Sequence, residues 1–333
     1  MPFEATPLVD TWLLRCIDPA GLQASSSSGD ALSAVQMRRL LDKATTHRVL
    51  PTVLQNLPFP PGEAFALLRE QANLKRIEQL ALSAMLNHHA SRISTASGKL
   101  PVAIVKGRVF AETIYPTPAL RPFTDIDFLV QPDALSAFET ILSEQGFAKE
   151  SSDARRLEAK WIHAATGALV EVHSNLVHSP RMRQAFSLTY SDVMDQRLAP
   201  STQLAVAVTH GGMHYFAWLR HVVDLCQAAR ALPSEEEARF QAITQRTGSR
   251  VPALVGLTLA SQLMDDERCL EIAKALSSTR ECWIVRLLRH GAALTATTNS
   301  WIIYNSWRRY VFRELMRYGA LRTSDRGSHH DVA

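Results

Sequence analysis

The sequence predicts an α+β architecture: a small mixed-sheet core flanked by N- and C-terminal helical regions. Three observations lead there. Strand-like runs are confined to about residues 100–176. On either side of them apolar residues recur at helical spacing. A chain of 333 residues, 46% hydrophobic and 20% charged, can bury a sizeable core and is not a disordered polymer. The expected division is a helical region at 1–95, a core at 96–178, a second helical region at 179–320 and a flexible tail at 321–333.

Each element has its own signal. ALSAVQMRRLLDKATTHRVL (31–50) places Leu32, Val35, Leu40, Leu41 and Ala44 at helical spacing, with Ser28 and Asp30 as cap candidates. LPFPPGE (57–63) breaks the chain, and a long helix follows over about 63–95. LPVAIVK (100–106) is β-branched and short, as a buried strand is. After Gly107, RVFAETIY (108–115) predicts a helix, and YPTPALRP (115–122) a loop. RPFTDIDFLV (121–130) predicts a strand with Ile126 and Phe128 facing a core. QPDALSAFETILSEQGF (131–147) predicts a helix capped by Asp133 and stopped by Gly146, with Leu135, Phe138, Ile141 and Leu142 inward. RLEAKWIHAATGALVEVHSNL (156–176) predicts a hairpin turning at 165–167. From 181 to about 320 the chain again reads as helical.

A net charge of +4 and a pI near 9.0 suit an anionic ligand such as a nucleotide without demanding nucleic acid. Cys16, Cys226, Cys269 and Cys282 lack metal spacing, which predicts reduced, buried thiols. The first residues lack the basic and apolar regions of a signal peptide, and no apolar run is long enough to span a bilayer. A cytoplasmic protein is the expectation.

Chemistry gathers in the 121–176 segment. Asp125 and Asp127 lie two apart, on one face of their strand, and Glu171 and His173 do the same in the hairpin. Three converging carboxylates need a cation to offset their repulsion, and oxygen ligands suit Mg²⁺ or Mn²⁺ rather than zinc. Two such ions roughly 3.5–4 Å apart can clamp a phosphoryl transfer. Charge crowding also predicts that Asp127→Asn leaves the fold intact or slightly stabilised.

KGRVFAETIYPTPALRPFTDIDFLV (106–130), followed by VEVH (170–173), resembles the uncharacterised nucleotidyltransferase family of the polymerase-beta-like nucleotidyltransferase superfamily. Residues 104–130 match closely and 169–173 match the last element. TTHRVLPTVLQNL (45–57) and VTHGGMHYFAWLRHVVDL (208–225) resemble the family's outer helical parts. The resemblance implies Asp125, Asp127 and Glu171 as metal ligands and catalytic residues. It implies Gly107 as the turn where a helix start meets a triphosphate, and Lys106 and Arg121 as phosphate contacts. The implied partners are an NTP such as ATP, with Mg²⁺ or Mn²⁺, and an acceptor. Small molecule, peptide, protein and RNA all remain open as acceptors.

Arg108 departs from the pattern, because many superfamily members carry a second Gly or Ser there. Either it binds phosphate, or it blocks the pocket of a degenerate, nucleotide-binding or protein-interaction module. HGGMH (210–214) has the spacing of a helical zinc pair but lacks the glutamate of HExxH, and two glycines weaken a helix there, so His210 reads as a polar contact lining the site or a core histidine. Arg220 and Asp224, at i and i+4, read as a helix salt bridge or as substrate contacts. No P-loop or dinucleotide fingerprint occurs. WIIYNSWRRYVFRELMRYG (301–319) reads as a basic amphipathic helix packed on the body or offered to an anionic partner.

Overall fold

A computed structural model of the chain describes residues 7–21, 31–194, 198–277 and Glu314. Cap candidates Ser28 and Asp30, Cys282, the amphipathic stretch 301–319 apart from Glu314, and the tail lie outside the described residues. The first helices are α1 (Pro7–Cys16), α2 (Ala34–Thr46), α3 (Leu50–Asn56) and the long α4 (Glu63–Ser97). Helix α2 starts at Ser33, whose hydroxyl accepts from the Gln36 amide while the Gln36 side chain accepts from the Ser33 amide. This reciprocal cap satisfies two otherwise unpaired donors. Val35 is 65% exposed, so it does not join the apolar face expected of it.

The central unit follows as β1 (Val102–Val105), α5 (Gly107–Thr113), β2 (Ile126–Val130), α6 (Leu135–Glu144), β3 (Phe147–Asp153), β4 (Glu158–His163) and β5 (Leu169–His173). The sheet order is β1-β2-β5-β4-β3; only the β2–β5 pair is parallel. Asp125 stands just before β2 rather than within it. Asp133 caps nothing: it sits in a short 3-10 turn ahead of α6, whose N-cap is Ala134. Gly146 ends α6 at a φ of 87°, a region open mainly to glycine. Strand β3 was not foreseen, because AKESSD lacks alternation and takes its pairing from β4 alone at the sheet edge.

Helices α7 (Pro180–Arg183), α8 (Tyr190–Met194), α9 (Pro200–Met213), α10 (Leu219–Arg230), α11 (Glu237–Thr247), α12 (Arg250–Met264) and α13 (Glu267–Leu276) complete the described fold. Helix α9 runs through Gly211 and Gly212 despite their poor propensity. Packing decides it: a Cβ on Gly211 or Gly256 would collide with the buried Phe216 ring, and one on Gly212 with Pro252.

Two apolar cores result. One sheet face carries Ile126, Phe128 and Val170 against Leu86, Ile93, Phe138 and Leu142 of α4 and α6. The other core joins Val105 and Leu129 to the remaining helices, with Leu40 and Val53 packed in the same cluster as Val206, Val223 and Leu257. The two helical regions thus meet beside the sheet, and the polar residues between them form the site. No described helix is long and apolar enough to cross a membrane. Cys16, Cys226 and Cys269 are free and buried.

Candidate active site

Strand register sets the site. Asp127 faces Glu171 across β2–β5, Glu171 faces Lys160 across β5–β4, and His173 faces Glu158. Residues opposite one another share a sheet face, so acidic and basic side chains form a patch across three strands. A cavity of about 240 Å³ opens over it, reached by Asp125, Asp127, Glu158, Lys160 and Glu171 from the sheet unit. Lys106 and Gly107 enter from the β1–α5 turn, Arg121 from the loop before β2, and Arg156 and His178 from the ends of the hairpin. Arg48, His210, His214, Trp218 and Arg220 come from the helical regions.

Asp127 is the most constrained member. Its Oδ1 lies 2.7 Å from Lys106 Nζ and 3.1 Å from His173 Nε2. Burial pushes its carboxyl up, but Lys106 and His173 outweigh that and hold it well below the usual carboxylate range. Asp125 goes the other way: burial first, then the Asp127 charge, raise it. The two neighbouring carboxylates are therefore shifted in opposite directions. Glu171 rests 3.1 Å from Lys160, and Glu158 3.5 Å from His178 Nδ1. Lys106 itself has φ 60° and ψ −141°, a sparsely populated conformation for a side-chain-bearing residue. Its ion pair with Asp127 holds the strained turn.

Asp224 does not line the cavity, and Arg121, which does, is paired with it. The Asp224 carboxylate takes Arg121 Nε at 2.9 Å and Nη2 at 2.8 Å, and the Tyr115 hydroxyl at 2.7 Å. This bidentate pair is buried, and although burial opposes the Arg121 charge, Asp224 raises its pKa overall. Arg121 lines the cavity while its Nε and Nη2 are held by Asp224. The i, i+4 pair of Arg220 and Asp224 does not form, because Asp224 is already taken.

Arg108 points elsewhere. Its Nε donates to Glu112 at 2.9 Å and its Nη1 to Ser91 at 3.0 Å, outside the cavity lining. Neither reading of Arg108, phosphate ligand or plug, matches that position. His173 is buried beneath Asp127 and orients it rather than lining the cavity. His210 does line it, with ring centroids 4.8 Å from His214 and 4.9 Å from His221. Burial and then the Lys106 charge hold His210 well below the ordinary imidazole value.

Among the described residues, one ligand atom each from Asp127, Glu171 and His173 lie within 4.8 Å of one another. With Asp125 on the same cavity, oxygen donors dominate the set, which fits Mg²⁺ or Mn²⁺. The charge such a cation would neutralise is now offset by Lys106 and Lys160.

Sequence reasoning missed Arg48, Arg156, Glu158, Lys160, His178, His214 and Trp218 in the lining. Glu158 and Lys160 were not recoverable from the expected turn: a turn at 165–167 pairs 160 with 172, whereas the observed register pairs Lys160 with Glu171 and Glu158 with His173. Arg48 and Trp218 arrive through helix packing, which no local pattern reports.

No curated protein and no solved structure matches the chain. A family model does, over residues 33–265, a span that takes in every side chain of the cavity. The chain therefore belongs to the family described as "Uncharacterised nucleotidyltransferase", and a general nucleotidyltransferase function follows from that membership.

Proposed function

We propose that the cavity moves a nucleoside monophosphate from an NTP to an acceptor and releases pyrophosphate. An acceptor oxygen attacks the α-phosphorus, the bond from that phosphorus to the β-phosphate bridging oxygen breaks, and pyrophosphate carries the electron pair away. The observation that carries this reading is the convergence of Asp125, Asp127 and Glu171 on one cavity, in a chain of this family.

Asp125, Asp127 and Glu171 would hold the divalent cation, Mg²⁺ or Mn²⁺. Bound there, it neutralises charge between carboxylates and phosphates. The chain's own groups do the rest. His173 keeps Asp127 in a fixed orientation through the 3.1 Å contact. Lys106, now on Asp127, is the cation nearest the carboxylate strand and would turn to the triphosphate as charge develops there. Glu171, with Lys160 beside it, would take the acceptor proton as the alternative to holding the cation.

Calorimetry with ATP and GTP tests the binding half of this reading. NTP should bind in Mg²⁺ and bind much more weakly in EDTA, since bare carboxylates repel a bare triphosphate. Equal affinity in the two buffers would remove the cation from the account.

A further inference from the structure

We propose that Arg220, with Arg48, forms a phosphate subsite on the helical wall of the cavity and binds the phosphoryl chain of the NTP. The inference rests on the nucleotidyltransferase reading of the same site and names groups that reading leaves idle.

Arg220 lines the cavity and is only 9% exposed. Its Nε is buried with no hydrogen-bond partner. The carboxylate one turn on, Asp224, is filled by Arg121 and Tyr115, and among the described residues no other carboxylate pairs with Arg220. Burial first, and then repulsion from its cationic neighbours Arg121 and Arg48, push the guanidinium pKa from its ordinary value down to about 9. A buried guanidinium without an ion-pair partner is costly, and among the described residues Asp224 and Asp125 offset that cost only in part. An anion supplied from outside offsets the rest.

Arg48 completes the subsite. It sits in the turn between α2 and α3 at φ 60°, with its guanidinium 4.7 Å from the centre of the Trp218 ring. That turn is tied to the start of α10: the His47 carbonyl accepts from the Arg220 amide at 3.3 Å and His47 Nδ1 from the Leu219 amide at 3.3 Å. Both arginines therefore ride on one braced unit. The same bonds occupy the first amides of α10, so the side chains must bind the anion. Guanidinium forks match phosphate oxygens two at a time, as an ammonium cannot. Lys106 and Lys160 are meanwhile engaged by carboxylates.

The phosphate could belong to the nucleotide or to a phosphorylated acceptor, and the ligands chosen separate the two. ATP, inorganic tripolyphosphate and AMP are titrated in Mg²⁺ into wild type, Arg220→Gln, Arg220→Lys and Arg48→Gln. ATP and tripolyphosphate should bind wild type well and AMP poorly. Arg220→Gln should weaken ATP and tripolyphosphate roughly ten- to hundredfold, the loss expected for hydrogen bonds to a charged group. Arg220→Lys should recover part of that loss, and Arg48→Gln, at an exposed position, should weaken both ligands less. Unliganded Arg220→Gln should melt at or above the wild-type temperature, because the lost charge had no ion-pair partner. A wild type that binds ATP while both Arg220 variants bind it equally well overturns the subsite and leaves the nucleotidyltransferase reading standing. Lower stability of Arg220→Gln with unchanged ATP affinity in Arg48→Gln and Arg220→Lys overturns it too. A wild type that binds neither ATP nor tripolyphosphate overturns both.

Discussion

Replacing Asp127 by Asn should destabilise the unliganded protein, by about 3 kcal/mol. Like-charge crowding among Asp125, Asp127 and Glu171 argues for the opposite sign, and the structure shows why it loses. Lys106 Nζ stands 2.7 Å from Asp127 Oδ1, and the two side chains are 6% and 5% exposed. Breaking a buried ion pair by removing one partner costs about 3–5 kcal/mol, because the other charge stays buried. The lower end applies here. Asn keeps an acceptor for Lys106 and His173, and the Asp125 carboxylate lies near enough to attract Lys106. For a chain of 333 residues about 3 kcal/mol lowers the melting temperature by roughly 4 °C. The sign with pH follows from the depressed Asp127 pKa. Its contribution is complete above the ordinary carboxylate value and is lost as pH falls through the lower folded value. The gap between wild type and variant should therefore persist at neutral pH and shrink below about pH 4. Thermal and urea unfolding of both proteins at pH 7 measure it. A variant that melts with or above wild type would show that carboxylate repulsion dominates the site and that the Lys106 pair contributes nothing net.

Three further outcomes are expected. Asp224→Asn should cost about 3–5 kcal/mol in urea unfolding, because it strands the buried Arg121 charge; a loss under about 1 kcal/mol would return Arg121 to the list of phosphate contacts. Arg108→Ala should leave ATP affinity within about twofold of wild type and remove an i, i+4 pair worth about 0.3–0.5 kcal/mol together with the exposed hydrogen bond to Ser91; a tenfold change in affinity would place Arg108 back in the pocket. Stability should fall as pH drops below about 6.5. Burial, followed by nearby cations or imidazoles, holds His210 and His221 well below the ordinary value and His47 at about 4. The unfolded chain then binds more protons than the folded one, and each histidine contributes a slope of about 1.4 kcal/mol per pH unit. A melting temperature flat from pH 7 to pH 5 would mean these imidazoles protonate without unfolding the chain.

Much of the fold was legible because its signals are local. The β-branched run at 102–105, the hairpin turn at 165–167 and the Gly146 stop each follow from residues within one element. The edge strand at 147–153 was not legible, since polar AKESSD is extended only through its partner β4. The carboxylate wall was legible in part: a strand period of two groups Glu171 with His173, while the β2–β5 register is what sets Asp127 beside Glu171. The cationic wall was not. Asp224 lies one helical turn from Arg220 in sequence, yet it pairs with Arg121, which lies 103 positions away. Local spacing named a pair that tertiary packing reassigned, and that reassignment is what leaves Arg220 facing the cavity.

The central claim is attack at the α-phosphorus, and the fate of a label tests it most directly. ATP labelled at the α- or the γ-phosphate is incubated in parallel with Mg²⁺, cell extract as the source of acceptor, and either wild type or Asp125→Asn. The account predicts that the α label becomes attached to an acceptor, that the γ label leaves as pyrophosphate, and that the variant does neither. A γ label on the acceptor, or α-label transfer that persists in Asp125→Asn, would contradict it.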